Sequence, residues 1–182
     1  MVFDKKLWDK TVDFHGHTCP GLAVGYRAAV IALEKLGDNR SDDEELVAIV
    51  ENDACGVDAI QVITGCSLGK GNLIYKNRGK QAFTIAQRKS GKAVRVYVDT
   101  AKLDVEPNDR EGKIQAVLTA PAEEFCQVDF ISLKIPEKAK IFPSVVCSCC
   151  GERLAESQAK LQDGKIVCLD CFEPYQRGWE SI

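Results

Sequence analysis

Residues 73–99 read LIYKNRGKQAFTIAQRKSGKAVRVYVD, and they decide the fold class. Val94, Val96 and Val98 alternate with Arg95, Tyr97 and Asp99, the period of a strand with one covered face. Two shorter apolar runs, 73–75 and 82–86, flank Asn77-Arg78-Gly79, which predicts a hairpin. Upstream the apolar spacing is helical. It predicts helices over 4–14, over 20–36 with Pro20 at the first position and Gly37 just past the end, and over 56–64. A buried strand over 46–51 and a glycine-rich loop over 65–72 lie among them. Downstream follow a helix over 111–120 and a last strand over 130–135. Helices first and antiparallel strands afterwards indicate an α+β core rather than a doubly wound sheet.

The chain of 182 residues suits one medium domain with a small appendage. A polar stretch with Pro136 and Pro143 at its flanks divides it into a core over 1–135, a linker over 136–143 and a C-terminal module over 144–182. Net charge is −3, and no basic block is present, which speaks against a nucleic-acid binder. No apolar run approaches the roughly 20 residues of a membrane span. Residues 1–10 are too charged for a secretory signal. Nine cysteines without such a signal point to a reducing, cytoplasmic setting, and so to metal ligation or thiolate chemistry rather than a disulfide framework.

Five of the nine crowd the C-terminal module. Cys147 and Cys150, then Cys168 and Cys171, form C-x2-C-x17-C-x2-C, the spacing of a closed four-thiolate zinc site. Spacing alone also admits iron in a rubredoxin-like site. Cys149 is surplus. The bland alternative, cysteines as core packing, does not explain paired spacing. A hairpin of 153–159 with 165–167 around Asp163-Gly164, then a helix over 169–179 carrying the second pair, would make a treble clef. Residues 134–182 carry seven Lys and Arg against seven Asp and Glu, so structural or protein-contact duty suits the module better than nucleic acid.

Both histidines of the chain fall in Phe14-His15-Gly16-His17-Thr18-Cys19-Pro20-Gly21, at a helix entrance. In an extended segment His15 and His17 point the same way. A helix N-terminus makes the Cys19 thiol more thiolate-like. Cys55 stands at a second predicted strand-to-helix corner, and 64–72 (TGCSLGKGN) imitates a phosphate loop. It fails the comparison: three residues rather than four separate Gly65 from Gly69, and Gly71 follows Lys70. Nucleotide hydrolysis is therefore rejected, and an anion-binding turn with Lys70 as counter-charge is kept. A lone histidine is usually a satisfied surface or core residue, and a lone buried cysteine such as Cys126 is usually packing. Two histidines and two cysteines at helix starts shift that balance toward a site. His17 with Cys55 is the leading pair, with His15 and Cys19 as further ligands. A transition metal and a nucleophilic thiolate both remain open.

Together FHGHTCPGLAVG (14–25) and DACGVDAIQVITGCSLGKGN (53–72) resemble the E-subunit family of formylmethanofuran dehydrogenase. The resemblance implies an α+β core, commonly dimeric, with an auxiliary treble-clef zinc module. It implies a site at His15, His17, Cys19 and Cys55, and a link to one-carbon chemistry as an accessory of an oxidoreductase complex. Ser67 replaces the threonine of the family pattern and keeps the hydroxyl. The chain holds no ferredoxin-type cysteine run and no pterin-sized domains of its own. Two functions follow, beside a third reading, a regulator that binds nucleic acid through the zinc module, against which the neutral charge speaks. One is a metal- or thiolate-dependent protein in which His17, Cys19 and Cys55 act on a small anionic substrate oriented by Lys70. The other is a non-catalytic subunit docking through the zinc module.

Overall fold

The computed structural model describes residues 3–175. The chain forms two compact units, divided between Ala139 and Lys140. The first holds helices α1 (Lys5–His15), α2 (Pro20–Leu36), α3 (Gly56–Thr64), α4 (Arg110–Thr119) and the single turn α5 (Ala122–Phe125). Its strands are β1 (Leu46–Val50), β2 (Leu73–Tyr75), β3 (Ala82–Gln87), β4 (Ala93–Val98) and β5 (Cys126–Ile131). They make one sheet in the order β2-β1-β3-β4-β5, parallel only between β1 and β2. The fold class is α+β.

Local chemistry explains the helix bounds. The Asp4 carboxylate accepts from the Leu7 amide and starts α1. Gly16, in the left-handed region at φ 90°, ends it. Pro20 and Gly37 bound α2 as expected. Thirteen of the seventeen α2 residues are buried, because this helix packs on α3 and α4 as well as on β3 and β4. Val94, Val96 and Val98 enter this core beside Phe83, Ile85, Leu46 and Val50. Trp8 stands edge-on to Tyr26 at 5.4 Å, and the Tyr26 hydroxyl donates to the Asp4 carbonyl, which ties α1 to α2.

Four expectations are corrected. β2 and β3 are not a hairpin: β1 lies between them. Residues 76–81 instead wrap the end of β1, where the Lys76 amide donates to Val50 and the Arg78 and Lys80 amides donate to Glu51. All five β1 residues are buried, and such a strand needs a partner on each side. The last core strand runs over Cys126–Ile131 rather than 130–135, since its antiparallel partner β4 sets Val98 opposite Cys126 and Ala93 opposite Ile131. The first half of the expected linker is fastened to the core. Arg88 donates to the carbonyls of Pro136 and Glu137, and the Ala139 amide to the Glu44 carboxylate. Finally, α1 runs through His15, so that residue is helical and not extended.

The second unit consists of two small hairpins. β6 (Ser144–Val146) pairs with β7 (Arg153–Ala155), and β8 (Lys160–Gln162) with β9 (Lys165–Val167). Asp163 and Gly164 turn the second hairpin with φ of 49° and 74°, the positive pair that a tight two-residue turn requires. Residues 153–155 therefore pair backward with β6, across the first cysteine knuckle, and not with β9. Of the helix expected over 169–179, residues 169–175 form turns and irregular chain. Its remaining residues, 176–179, lie outside the described residues.

Candidate metal centres

The core site is assembled from three chain corners. Cys19 is the N-cap of α2, and its Sγ accepts from the Leu22 amide at 3.3 Å. Cys55 is the N-cap of α3, with no capping bond from its own side chain. His15 is the last residue of α1. A close helix crossing brings the two caps together. A Cβ on Gly25 would lie 2.5 Å from Gly56 Cα and would overlap the Gly56 carbonyl oxygen, so the α2 and α3 backbones touch where only glycine fits. One turn earlier, Gly21 faces the Cys55 side chain with room for ordinary contact.

As a result, ligand atoms of His15, Cys19 and Cys55 all lie within 4.8 Å of one another. His15 Nδ1 is 2.7 Å from Asp58 Oδ2. An ionised carboxylate only accepts, so in the neutral imidazole that a metal takes, Nδ1 carries the proton and Nε2 is the lone-pair donor. Nε2 stands 3.8 Å from Cys19 Sγ. Asp58 is itself held by Gln61 at 3.3 Å. Carboxylate behind imidazole, imidazole facing two sulfurs, is the arrangement that orients a histidine for a metal. Burial, and then the neighbouring Cys19 thiol, push the Cys55 thiol above its ordinary value. One imidazole and two sulfurs suit zinc or another borderline metal and leave a tetrahedral ion one open position. Beside the cluster opens a cleft of about 540 Å³, which His15, Cys55 and Asp58 help to line.

The remaining expected site residues fall elsewhere. His17 is exposed and lies outside the three-donor cluster, its ring 4.5 Å from that of His15. Of the two histidines it is His15 that brings a donor atom to the cluster, because α1 carries it there while His17 follows the left-handed Gly16. Lys70 does not line the cleft. Its ammonium donates to the carbonyls of Asp42 and Asp43 at 3.2 and 3.0 Å and borders a different groove with Lys10 and Arg40. Cys66 is fully buried, and Cys126 is pushed up to about 11 by burial; both are outside the cluster. The sequence motifs do not single out Asp58. The one signal for it is its place three residues after Cys55, on the same helix face.

In the second unit Cys147, Cys150, Cys168 and Cys171 offer sulfurs within 4.8 Å of one another. Cys147 is buried, and its Sγ accepts from the Cys168 amide at 3.3 Å. Amides of Cys150 and Cys168 lower its thiol to about 6, favouring the thiolate that a metal takes. Four thiolates close a tetrahedral site, so this donor set fits a structural zinc. Cys149 is exposed and outside it.

Both units have relatives among known proteins. Residues 140–177 match the prokaryotic dksA/traR C4-type zinc finger. A "probable S-adenosyl-L-methionine-binding protein" of Archaeoglobus fulgidus is 37% identical over 200 residues, covering 93% of this chain and 53% of that protein. The chain therefore spans about half the length of that relative. The crystal structure of a tungsten formylmethanofuran dehydrogenase FmdE-like protein from Syntrophus aciditrophicus superposes with a TM-score of 0.72 at 22% identity, covering 94% of this chain and 96% of that one. Residues 14–127, more than half of the chain and all of the His-Cys cluster, match the family described as FmdE, molybdenum formylmethanofuran dehydrogenase operon, and the chain belongs to that family.

Proposed function

We propose that the core unit is a metal-dependent small-molecule site in which His15, Cys19 and Cys55 hold one transition-metal ion, zinc by preference, with the open position toward the cleft. The observation that carries this is the convergence of three donors from α1, α2 and α3, with Asp58 on the back nitrogen of the histidine. A metal in such a set supplies Lewis acidity to an oxygen or sulfur atom placed on it. The protein's own groups do the rest. Asp58 keeps the proton on Nδ1 and aims Nε2, Gln61 steadies Asp58, and the Leu22 amide stabilises a Cys19 thiolate. The second unit is a structural zinc module that follows the core after Ala139.

The test is metal content per full-length chain. Two metals are expected in the wild type. One is expected in His15→Ala or Cys55→Ala, and one in Cys168→Ser. A single metal, lost only in Cys168→Ser, would refute the core site. A second reading, an accessory subunit of a formylmethanofuran dehydrogenase-type complex, is favoured by the family's operon description. It requires that the chain, alone or as a homodimer, co-purify with the complex and that Cys55→Ala leave that association and the complex's turnover unchanged.

A further inference from the structure

The cleft beside the cluster carries an unbalanced charge. Two of its lining residues, Asp53 and Asp58, are acidic, and among the described residues no lysine or arginine lines it. The proposed metal does not correct this. A divalent ion on two thiolates and one neutral imidazole is neutral overall, so both carboxylate charges remain. Asp58 spends hydrogen bonds on Gln61 and on His15, an imidazole that is neutral when its Nε2 holds the metal, and so keeps its charge as well. Lys70, the cation that would have met an anion here, is bonded to main-chain carbonyls and borders another groove.

The rest of the lining has a matching character. Val57, Leu68 and Leu73 supply apolar wall. Tyr75 is 43% exposed at the edge of the cleft, and Asp53 lines the same cleft. An aromatic face with a carboxylate beside it attracts an ammonium or other onium group and repels a carboxylate. Apolar wall next to that pair fits a short hydrocarbon body.

We infer that the cleft takes a small ligand with a cationic tail, an ammonium or sulfonium group on an apolar body, with Asp53 and Tyr75 receiving the charge and an oxygen or sulfur donor atom turned to the metal. This rests on the metal reading above and names the ligand class for the same site. An anionic substrate, the expectation attached to Lys70, finds no counter-charge in this cleft.

The experiment uses full-length protein loaded with cobalt(II), whose visible bands report a new donor on the ion. The closed four-cysteine site also takes cobalt but has no open position, and Cys55→Ala supplies its background spectrum. The probes are cysteamine, 2-mercaptoethanol and 3-mercaptopropionate, three short thiols with a cationic, a neutral and an anionic tail. Their thiols differ in acidity, so the measured quantity is the change in the cation-to-anion affinity ratio on Asp53→Asn. Reversing a tail's charge beside one water-exposed carboxylate changes affinity by up to about tenfold. The ratio is expected to fall about fivefold in Asp53→Asn, and to fall in wild type as salt is raised from low to about 0.5 M. A ratio untouched by both changes would overturn the ligand class and leave the metal site standing. Bands that respond to none of the three thiols would remove the open metal position, and the ligand class with it.

Discussion

Gly25→Ala tests whether the helix crossing makes the site. The added carbon would stand 2.5 Å from Gly56 Cα, against the 3.5 Å or so at which carbon atoms rest, so α2 and α3 must part by about 1 Å. The obstacle is backbone, which has no rotamer to move away. Overpacking of this kind costs about 1–3 kcal/mol, and an immovable neighbour puts Gly25→Ala at about 3. Against that, alanine in a helix interior gains about 1 kcal/mol over glycine. The net expectation is a loss of about 2 kcal/mol, measured by urea unfolding followed by far-ultraviolet circular dichroism. The same shift moves Cys55 from Cys19. Sulfurs on one tetrahedral zinc sit roughly 3.8 Å apart, given bonds of about 2.3 Å. A 1 Å displacement exceeds what such bonds absorb, so the core metal is expected to be lost while the four-cysteine site keeps its own. Unfolding repeated after chelation separates the packing loss from the loss of bound metal. Gly21→Ala is the control. Its Cβ would meet Cys55 Cβ at 3.4 Å, an ordinary contact, and both stability and metal should survive. A Gly25→Ala protein within about 0.5 kcal/mol of wild type and still carrying its core metal would refute the crossing as the cause of the site.

Two further outcomes follow from the same geometry. Asp58→Asn removes the carboxylate that holds the Nδ1 proton of His15, so core metal affinity should fall 10- to 100-fold in a chelator competition, with little change in the four-cysteine site. Arg95→Met should destabilise the core by about 3 kcal/mol at neutral pH, because Glu51, with 3% of its side chain exposed, loses its 2.8 Å partner and keeps only Arg78 at 3.5 Å. The pH dependence has a definite sign. Arg95 holds the folded Glu51 carboxyl below its ordinary value, so the stabilisation is present above the unfolded pKa and lost as pH falls through the folded one. The gap between wild type and Arg95→Met should therefore shrink in urea titrations taken below about pH 4. A gap that stays constant with pH would assign the loss to packing of the arginine stem.

What could be read from the sequence was what neighbours along the chain decide. Pro20 and Gly37 mark the ends of α2, α3 spans the residues its apolar spacing predicts, and the paired cysteines of the second unit converge. Each depends on a cap, a period or a spacing within a few residues. The strand-pairing error is non-local, whereas the helix expected over 169–179 and the end of α1 are local misreadings. Nothing in Leu73-Ile74-Tyr75 says that its partner is β1 and not β3; that depends on β1 being buried on both flanks. Preferring His17 over His15 assumes extended chain where α1 continues for one more residue. That single residue decides which imidazole meets the thiols and which stays exposed. The place of Lys70 is non-local in the same way as the strand pairing. Lys70 is close to Cys66 along the chain, but the cleft is made by Asp53, Asp58 and Tyr75, while the lysine is taken by the carbonyls of Asp42 and Asp43.

One non-local feature does leave a mark in the sequence. Gly21 and Gly25 are four apart on α2, hence on one face, and Gly56 directly follows Cys55 at the start of α3. Glycines in helix interiors are destabilising unless a backbone passes close by. Two on one face therefore predict a crossing, and a third beside a cysteine predicts where the crossing lands. The His-Cys cluster then follows from packing. Once α2 and α3 touch at Gly25 and Gly56, their caps Cys19 and Cys55 have to be neighbours. His15, four residues before the Cys19 cap, has only to end its helix on the same corner.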